Sequence, residues 1–429
     1  MKKSMFLNVI KGENEYLLHN TLYGTMLKAQ CDITKAIADY VENESTIEYD
    51  ESNDFHKALK DLKMIVENNV NEVSLINYHF SEKNEDNLII IPIVTRQCNF
   101  RCVYCYESHE NKRIEEDTYE NLLNAIRKEI KAKKYKSVTI SFFGGEPMLE
   151  FEAICNFMQN MKELAEEMEI DLYGAMTTNG YLLSIDKLSK LIELNIIDYQ
   201  ITIDGLKETH DNNRFLVGGQ GTWDRIIQNL KDAKSTELSF RVSIRTNFDM
   251  DVAHNLTEFF QFVSEVFSGD DRFGVYFETV KKLGGELDDE LNVCDDGTKV
   301  VNDMLCVADD LNLDLKSFNY TIAPFGWRCY ASKNNSLVID TDGTLLKCTV
   351  HLDLPGNCVG ELTADGFQIK DDKICKWTSY NLPQKCYKCE ILSICFGKRC
   401  PISLVGQNDS CESSARTYES VMKAVYKIS

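Results

Sequence analysis

Between about residues 88 and 320 the chain alternates short, β-rich apolar runs with stretches of helical length. LIIIPIVT (88–95), SVTISFF (137–143), DLYGAMTT (171–178), DYQITID (198–204), FRVSIRTN (240–247) and FGVYFETV (273–280) predict six strands. Strand, helix, strand in succession calls for right-handed crossovers and a parallel sheet, and six such units make an α/β fold of the partial (β/α)6, TIM-like barrel type. Function in such folds gathers at the C-terminal ends of the strands. Four conspicuous segments fall there: CNFRCVYCYE (98–107) after the first strand, GGEP (144–147) after the second, TNG (178–180) at the third and DG (204–205) at the fourth.

The first 85 residues follow another pattern. DITKAIADYVE (32–42) places Ile33, Ala36, Ile37, Tyr40 and Val41 on one helical face with Asp32 as its cap, and a second helix is expected from Phe55 to Val66. YLLHNTLYGTMLKA (16–29) predicts a hairpin turning before Gly24, and EVSLINYHF (72–80) a closing strand. Together they suggest a small winged-helix-like module. Two further segments invite a ligand reading and fail it. GGQGTW (218–223) lacks the full nucleotide-loop pattern and is a turn opening the helix TWDRIIQNL, and DTDG (340–343) is too short for a calcium loop and is a β-turn.

Charge narrows the partners. Against 47 basic side chains stand 68 acidic ones, a formal net charge of -21, which disfavours nucleic acid and anionic membrane surfaces. No apolar run approaches a membrane span and the first residues do not resemble a secretion signal, so a cytoplasmic protein is expected. Of the 16 cysteines, Cys31, Cys155, Cys294, Cys306, Cys358 and Cys375 are scattered and suit small buried positions. The others cluster, at Cys98, Cys102 and Cys105, then Cys329, Cys348, Cys386, Cys389, Cys395, Cys400 and Cys411. In a chain too long for a disulfide-stapled miniprotein, clustering points to metal ligation. Three thiolates at gaps of three and two residues suit a 4Fe-4S cube that keeps one iron without a protein ligand.

The pattern C-x-x-x-C-x-aromatic-C after a first strand, with GGEP after the second, resembles the radical S-adenosylmethionine (SAM) enzymes. In that family SAM occupies the open iron, and the resemblance implies cleavage to a 5′-deoxyadenosyl radical. It also implies that Tyr104 packs along adenine and that Gly144, Gly145, Glu146 and Pro147 present backbone to the methionine ammonium. Thr202 would contact ribose and Arg214 would lie near the SAM carboxylate, with Asn179, Asp204 and Arg245 as further candidates. The C-terminal cysteines resemble a SPASM extension, although the gap before Cys400 is four residues where three is usual. By that resemblance Cys386, Cys389, Cys395 and Cys411 hold one auxiliary 4Fe-4S cluster, and Cys329, Cys348 and Cys400 another, making three clusters in all. The fourth ligand of the second is left open between Cys358, another thiol and a substrate thiolate.

The organisation expected is therefore a precursor-recognition module (1–85), a radical SAM partial barrel (86–320) and a SPASM domain (321–429). The resemblance implies a peptide maturase that installs a crosslink, preferably a thioether of the sactipeptide or ranthipeptide type, in a precursor carrying a leader. Electrons would come from a donor such as flavodoxin or ferredoxin. Carbon-carbon crosslinking, formylglycine formation in a sulfatase and a non-enzymatic iron-sulfur scaffold are the alternatives. An acidic residue expected in the sulfatase branch just after the second SPASM cysteine is replaced here by Thr349 and Val350.

Overall fold

The structure, a computed structural model, describes residues 1–13, 15–30, 48–82, 86–315, 318, 322–325, 329–352, 354, 356–379, 384–395, 401 and 412–427. They form two compact units: residues 1–84 with 315–329 and 380–429, and residues 85–314 with 330–379. The segment 321–429 is thus shared between the two units.

In the first unit, β1 (Lys2–Lys3) pairs antiparallel with β5 (Ile65–Val66), and β2 (Leu7–Lys11), β3 (Glu15–Asn20) and β4 (Thr25–Gln30) form an antiparallel sheet with β3 central. The expected hairpin is β3–β4. Asn20 opposes Thr25, and Gly24, at φ 68, makes the turn by donating its N–H to the Asn20 carbonyl at 2.8 Å. The helix expected over 55–66 runs instead over Asp54–Asp61, because Lys63 turns left-handed at φ 58 and sends Ile65 and Val66 back onto β1. Residues 72–80, expected as a strand, belong to a helix, Glu72–Glu82. Asn71 caps it by accepting the Ser74 N–H at 3.1 Å, and the buried Glu72 carboxylate accepts from Ser4 Oγ at 2.6 Å and the Met5 N–H at 3.0 Å. The helix expected at 32–42 lies outside the described residues.

The same unit contains part of the C-terminal cysteine run. Cys386 and Leu392 pack with Phe6, Leu22 and Ile76. Thr21 Oγ1 donates to the Glu390 carbonyl at 2.6 Å and accepts from Ser393 Oγ at 2.8 Å.

The second unit carries the sheet. β6 (Asn87–Pro92), β8 (Ser137–Phe142), β9 (Asp171–Thr178), β10 (Ile196–Thr202), β12 (Arg241–Phe248) and β13 (Phe273–Thr279) are the six expected strands, paired parallel in that order. A ribbon separate from the sheet, β7 (Phe100–Cys102) with β11 (Arg214–Leu216), is antiparallel. On the other side of β6, β14 (Ser336–Ile339) adds in parallel, followed antiparallel by β15 (Thr344–Leu346), β16 (Cys358–Thr363) and β17 (Gly366–Ile369). Main-chain pairing of β14 with β6 thus places residues 330–379 with the sheet. Crossover helices bury one stripe each: Ile154, Phe157, Met158 and Met161 of the helix Phe151–Met168 are nearly inaccessible, each such burial stabilising by about 1.5–3 kcal/mol. GGQGTW does open a helix, Trp223–Lys234, with Asp211 Oδ1 accepting the N–H groups of Thr222 at 2.7 Å and Trp223 at 2.9 Å. DTDG is the turn from β14 to β15. Among the described residues no helix is long and apolar enough to cross a membrane.

The buried His19 gives the first unit a pH signature. Its Nδ1 lies 2.7 Å from the Tyr418 hydroxyl, and burial lowers its pKa from 6.5 to about 4. Between those values the unfolded chain binds a proton that the folded chain refuses, so stability falls as pH drops through that window, by about 3 kcal/mol in full. Thermal unfolding of His19→Asn between pH 7 and 4 should show a shallower loss than the parent chain; equal slopes would refute this origin.

Candidate active site

At the C-terminal ends of β6, β8, β9, β10 and β12 the expected segments meet. The cysteine loop follows β6 and is stitched to the GGEP segment by main chain, Gly145 N–H to Thr95 O at 2.9 Å and Glu146 N–H to Gln97 O at 2.8 Å. Both glycines are required by proximity. A Cβ on Gly144, which has φ 137, would stand 2.3 Å from Thr95 O, and one on Gly145 2.2 Å from Gln97 O. Glu146 turns its carboxylate inward, where it accepts from Thr178 Oγ1 at 2.6 Å, Asn179 N at 2.7 Å and Met148 N at 3.0 Å. The side chain is thus committed within the protein, and the Glu146 carbonyl accepts the Leu149 N–H at 3.1 Å. Pro147 opens a short 3-10 turn behind it.

The β7–β11 ribbon sets Arg214 directly opposite Cys102, and Val103 N–H donates to Asn213 O at 3.0 Å. Arg214 Nη1 donates to the Tyr104 hydroxyl at 2.6 Å, and that hydroxyl donates to Asp204 and accepts from Asn247 Nδ2 at 3.2 Å. Asp204 also accepts the Asn247 N–H at 2.9 Å. Burial opposes the Arg214 charge, but Cys102, Tyr104 and Asp204 outweigh it and hold its pKa well above the usual value. Behind this group, the Asp204 N–H donates to His210 Nδ1 at 3.1 Å, so His210 carries its proton on Nε2, 3.0 Å from Thr222 Oγ1. The Thr222 hydroxyl in turn donates to Arg214 O at 2.6 Å. Burial, then Arg214, lowers the His210 pKa well below normal, keeping it neutral. Thr202 pairs in register with Arg245, whose Nε donates to Asn247 Oδ1 at 2.8 Å. Asn179 donates to Asn99 Oδ1 at 2.8 Å.

The thiols resist ionising unaided. Burial, followed by the Glu146 charge, pushes Cys98 far up, burial likewise raises Cys102, and burial followed by Cys102 pushes Cys105 up to about 12. Cationic iron would remove those protons as it binds. Among the described residues no three such side chains converge as they would on one metal ion. Thiolates on three different corners of a cube stand further apart than the ligands of a single ion. Arg214 Nε is buried without a hydrogen-bond partner, an unmet donor suited to an anionic ligand group. The residues therefore fit a three-thiolate cluster beside a carboxylate-bearing ligand.

A second group of residues links the cysteine loop to the Cys348 segment. Arg96 pairs with Asp340 through both carboxylate oxygens, Nε to Oδ1 at 3.1 Å, and the Tyr106 hydroxyl donates to Thr349 O at 3.2 Å. The Cys348 turn is clamped by the fully buried Asn357. Its Oδ1 accepts from Lys347 N at 3.0 Å and Cys348 N at 2.8 Å, and its Nδ2 donates to Cys348 O at 2.8 Å and His351 O at 2.9 Å. Sequence reasoning did not single out Asn247, His210, Arg96 or Asn357. Asn247, at the end of one predicted strand, and Arg96, directly after another, carried a usable signal.

Cys329, in the first unit, is partly buried. Cys386 and Cys395 are buried there and Cys389 partly so, whereas Cys400 and Cys411 lie outside the described residues. Cys358 packs against the apolar cluster of Ile91, Ile93, Val338, Leu346 and Leu352.

Residues 92–263 match the Radical SAM superfamily. The chain carries a radical SAM domain. Curated relatives include the radical SAM cyclopropyl synthase TigE of Paramaledivibacter caminithermalis, 26% identical over 54% of this chain and 54% of that protein. Another is the cysteine-type anaerobic sulfatase-maturating enzyme of Clostridium novyi, 27% identical over 36% of this chain and 42% of that one. The chain thus spans about half the length of these relatives, or less. Among solved structures, native anSMEcpe with bound AdoMet and Kp18Cys peptide superposes with a TM-score of 0.62 at 17% identity, over 80% of this chain and 97% of that one. SuiB of Streptococcus suis bound to S-adenosylmethionine superposes at 0.52 and 17%, over 96% and 97%. At those identities the likeness concerns the fold.

Removing the Tyr104 hydroxyl by Tyr104→Phe should leave Asp204 and Arg214 short of a partner in a buried setting. The expected cost is about 1–3 kcal/mol of stability, measured by chemical denaturation. An unchanged midpoint and slope would show that the hydroxyl does not bridge them.

Proposed function

We propose that the chain is a radical SAM/SPASM peptide maturase that installs a thioether in a leader-bearing precursor peptide. In this reading Cys98, Cys102 and Cys105 hold the SAM-binding cluster and Arg214 Nε receives the SAM carboxylate. The backbone of Gly144–Pro147 meets the methionine ammonium, while Tyr104 and Thr202 border adenine and ribose. When bound, the cluster supplies the electron that cleaves SAM and so generates a hydrogen-abstracting radical. Two auxiliary clusters would use Cys386, Cys389, Cys395 and Cys411, and Cys329, Cys348 and Cys400. A flavodoxin- or ferredoxin-like donor would supply the electron to the SAM-binding cluster in the cytoplasm.

One observation carries the reading beyond SAM cleavage: the segment bearing Cys348 is pinned to the SAM-cluster loop by the Arg96–Asp340 pair and the Tyr106–Thr349 hydrogen bond. A sulfur held near Cys348 would then be within reach of chemistry begun at that loop. Recognition is assigned to residues 1–85, where an outer strand of the β2–β3–β4 sheet could pair with the leader through main-chain groups alone. Formylglycine formation is the second reading, favoured by the sulfatase-maturating relative and opposed by Thr349 in place of an acid.

Co-expression with a small cysteine-containing precursor, followed by mass spectrometry, should reveal a loss of two hydrogens per crosslink with sulfur retained. Cys348→Ala should keep about eight of about twelve irons, one four-iron cube fewer, and still cleave SAM, yet make no crosslink. Normal crosslinking by that folded variant would refute a substrate-sulfur role for this cluster, and sulfur loss from the product would favour formylglycine formation.

A further inference from the structure

The cysteine loop does not end chemically at Cys105. Four residues on, His109 adopts φ 51, a left-handed conformation that histidine tolerates better than most side chains. That turn folds the imidazole back, and Nε2 comes within 3.5 Å of Cys105 Sγ. On the same side, the loop after β13 closes tightly on the Cys105 main chain. A Cβ on Gly285 would stand 2.5 Å from Cys105 O, and the loop is braced by the Gly284 N–H donating to Asp288 Oδ2 at 2.7 Å.

A metal-bound thiolate has lone pairs and no proton. The ring nitrogen facing it must therefore be the one that carries hydrogen, whether the ring is neutral or charged. Cys98 Sγ, by contrast, accepts from main chain, the Phe100 N–H at 3.4 Å, and its thiol lies 4.0 Å from Asn99 Oδ1. The His109 contact comes from a side chain, so it can be removed by substitution without disturbing the ligand loop's own hydrogen bonds.

We propose that His109 is a positioning residue that tunes the SAM-binding cluster, its Nε2–H donating to the Cys105 thiolate and favouring the more negative, reduced state. The inference rests on the assignment of Cys98, Cys102 and Cys105 as the ligands of that cluster. Hydrogen bonds to cluster sulfurs are among the levers that set iron-sulfur potentials, because each stabilises the added electron. Removing this one makes the cluster harder to reduce. His109→Gln, whose amide N–H2 can reach a similar position, preserves the effect.

The test is a redox titration of the reconstituted full chain, following the part of the reduced-cluster electron paramagnetic resonance signal that changes when SAM is added. His109→Leu should lower the reduced-to-oxidised ratio at a fixed poise about tenfold, a negative shift of about 59 mV for a one-electron couple. His109→Gln should recover most of it, with iron content equal in all three proteins. An unchanged potential in His109→Leu overturns the proposal, as does a shift that His109→Gln fails to reverse.

Should His109→Leu lose its iron, the parent protein decides the question alone. With nitrogen-15-labelled histidine, the SAM-responsive signal should show a coupled histidine nitrogen and an exchangeable proton, and the absence of both contradicts the contact. A protein with no SAM-responsive signal at all would instead refute the cluster assignment, a result distinct from either failure above.

Discussion

The bridge that Tyr104 makes between Asp204 and Arg214 is the interaction on which the rest of the site depends. It ties together the end of β10, the cysteine loop, the β11 strand and, through Asn247, the end of β12. Arg214 and Asp204 are both buried, and a buried charge stripped of its partner costs far more than a surface one. The bridging hydroxyl satisfies both at once. It leaves Arg214 Nε without a hydrogen-bond partner, the donor that the proposed function gives to the SAM carboxylate. His210 and Thr222 support the arrangement from behind by holding the Arg214 main chain.

Backbone geometry does comparable work on the other flank. Gly144 and Gly145 allow the segment after β8 to lie against residues 95–97, and Glu146 spends its carboxylate on Thr178, Asn179 and Met148. The consequence is a loop held by its main chain against residues 95–97, with its charged side chain already committed. A resemblance to a family motif identifies such a segment, and the hydrogen bonds explain why a carboxylate belongs at Glu146, where it ties the segment to the end of β9.

Much of this was legible in the sequence because two strong periodic signals agree. The β-rich runs recur at crossover spacing, and the marked segments CNFRCVYCYE, GGEP, TNG and DG all fall at strand ends, as they do in the folded chain. What was not legible depends on short elements or on distance along the chain. β7 and β11 have three residues each, too few for any alternation, yet their pairing is what sets Arg214 against Cys102. EVSLINYHF has β-forming residues, and the Asn71 cap and the buried Glu72 decide for a helix. Asn357 looks like an ordinary loop asparagine until its four hydrogen bonds around Cys348 are seen. The joining of residues 1–84 with 380–429 likewise arises from contacts between opposite ends of the chain, such as Thr21 with Glu390, which no local pattern encodes.

The central claim is that the loop of Cys98, Cys102 and Cys105, framed by GGEP and Arg214, is where SAM is cleaved. The most direct measurement is 5′-deoxyadenosine formation by the anaerobically reconstituted, chemically reduced full chain supplied with SAM, compared with a variant carrying Cys98→Ala, Cys102→Ala and Cys105→Ala. The account predicts 5′-deoxyadenosine from the parent protein and none from the variant, whose remaining cysteines still bind iron. Sustained 5′-deoxyadenosine production by the variant would contradict it.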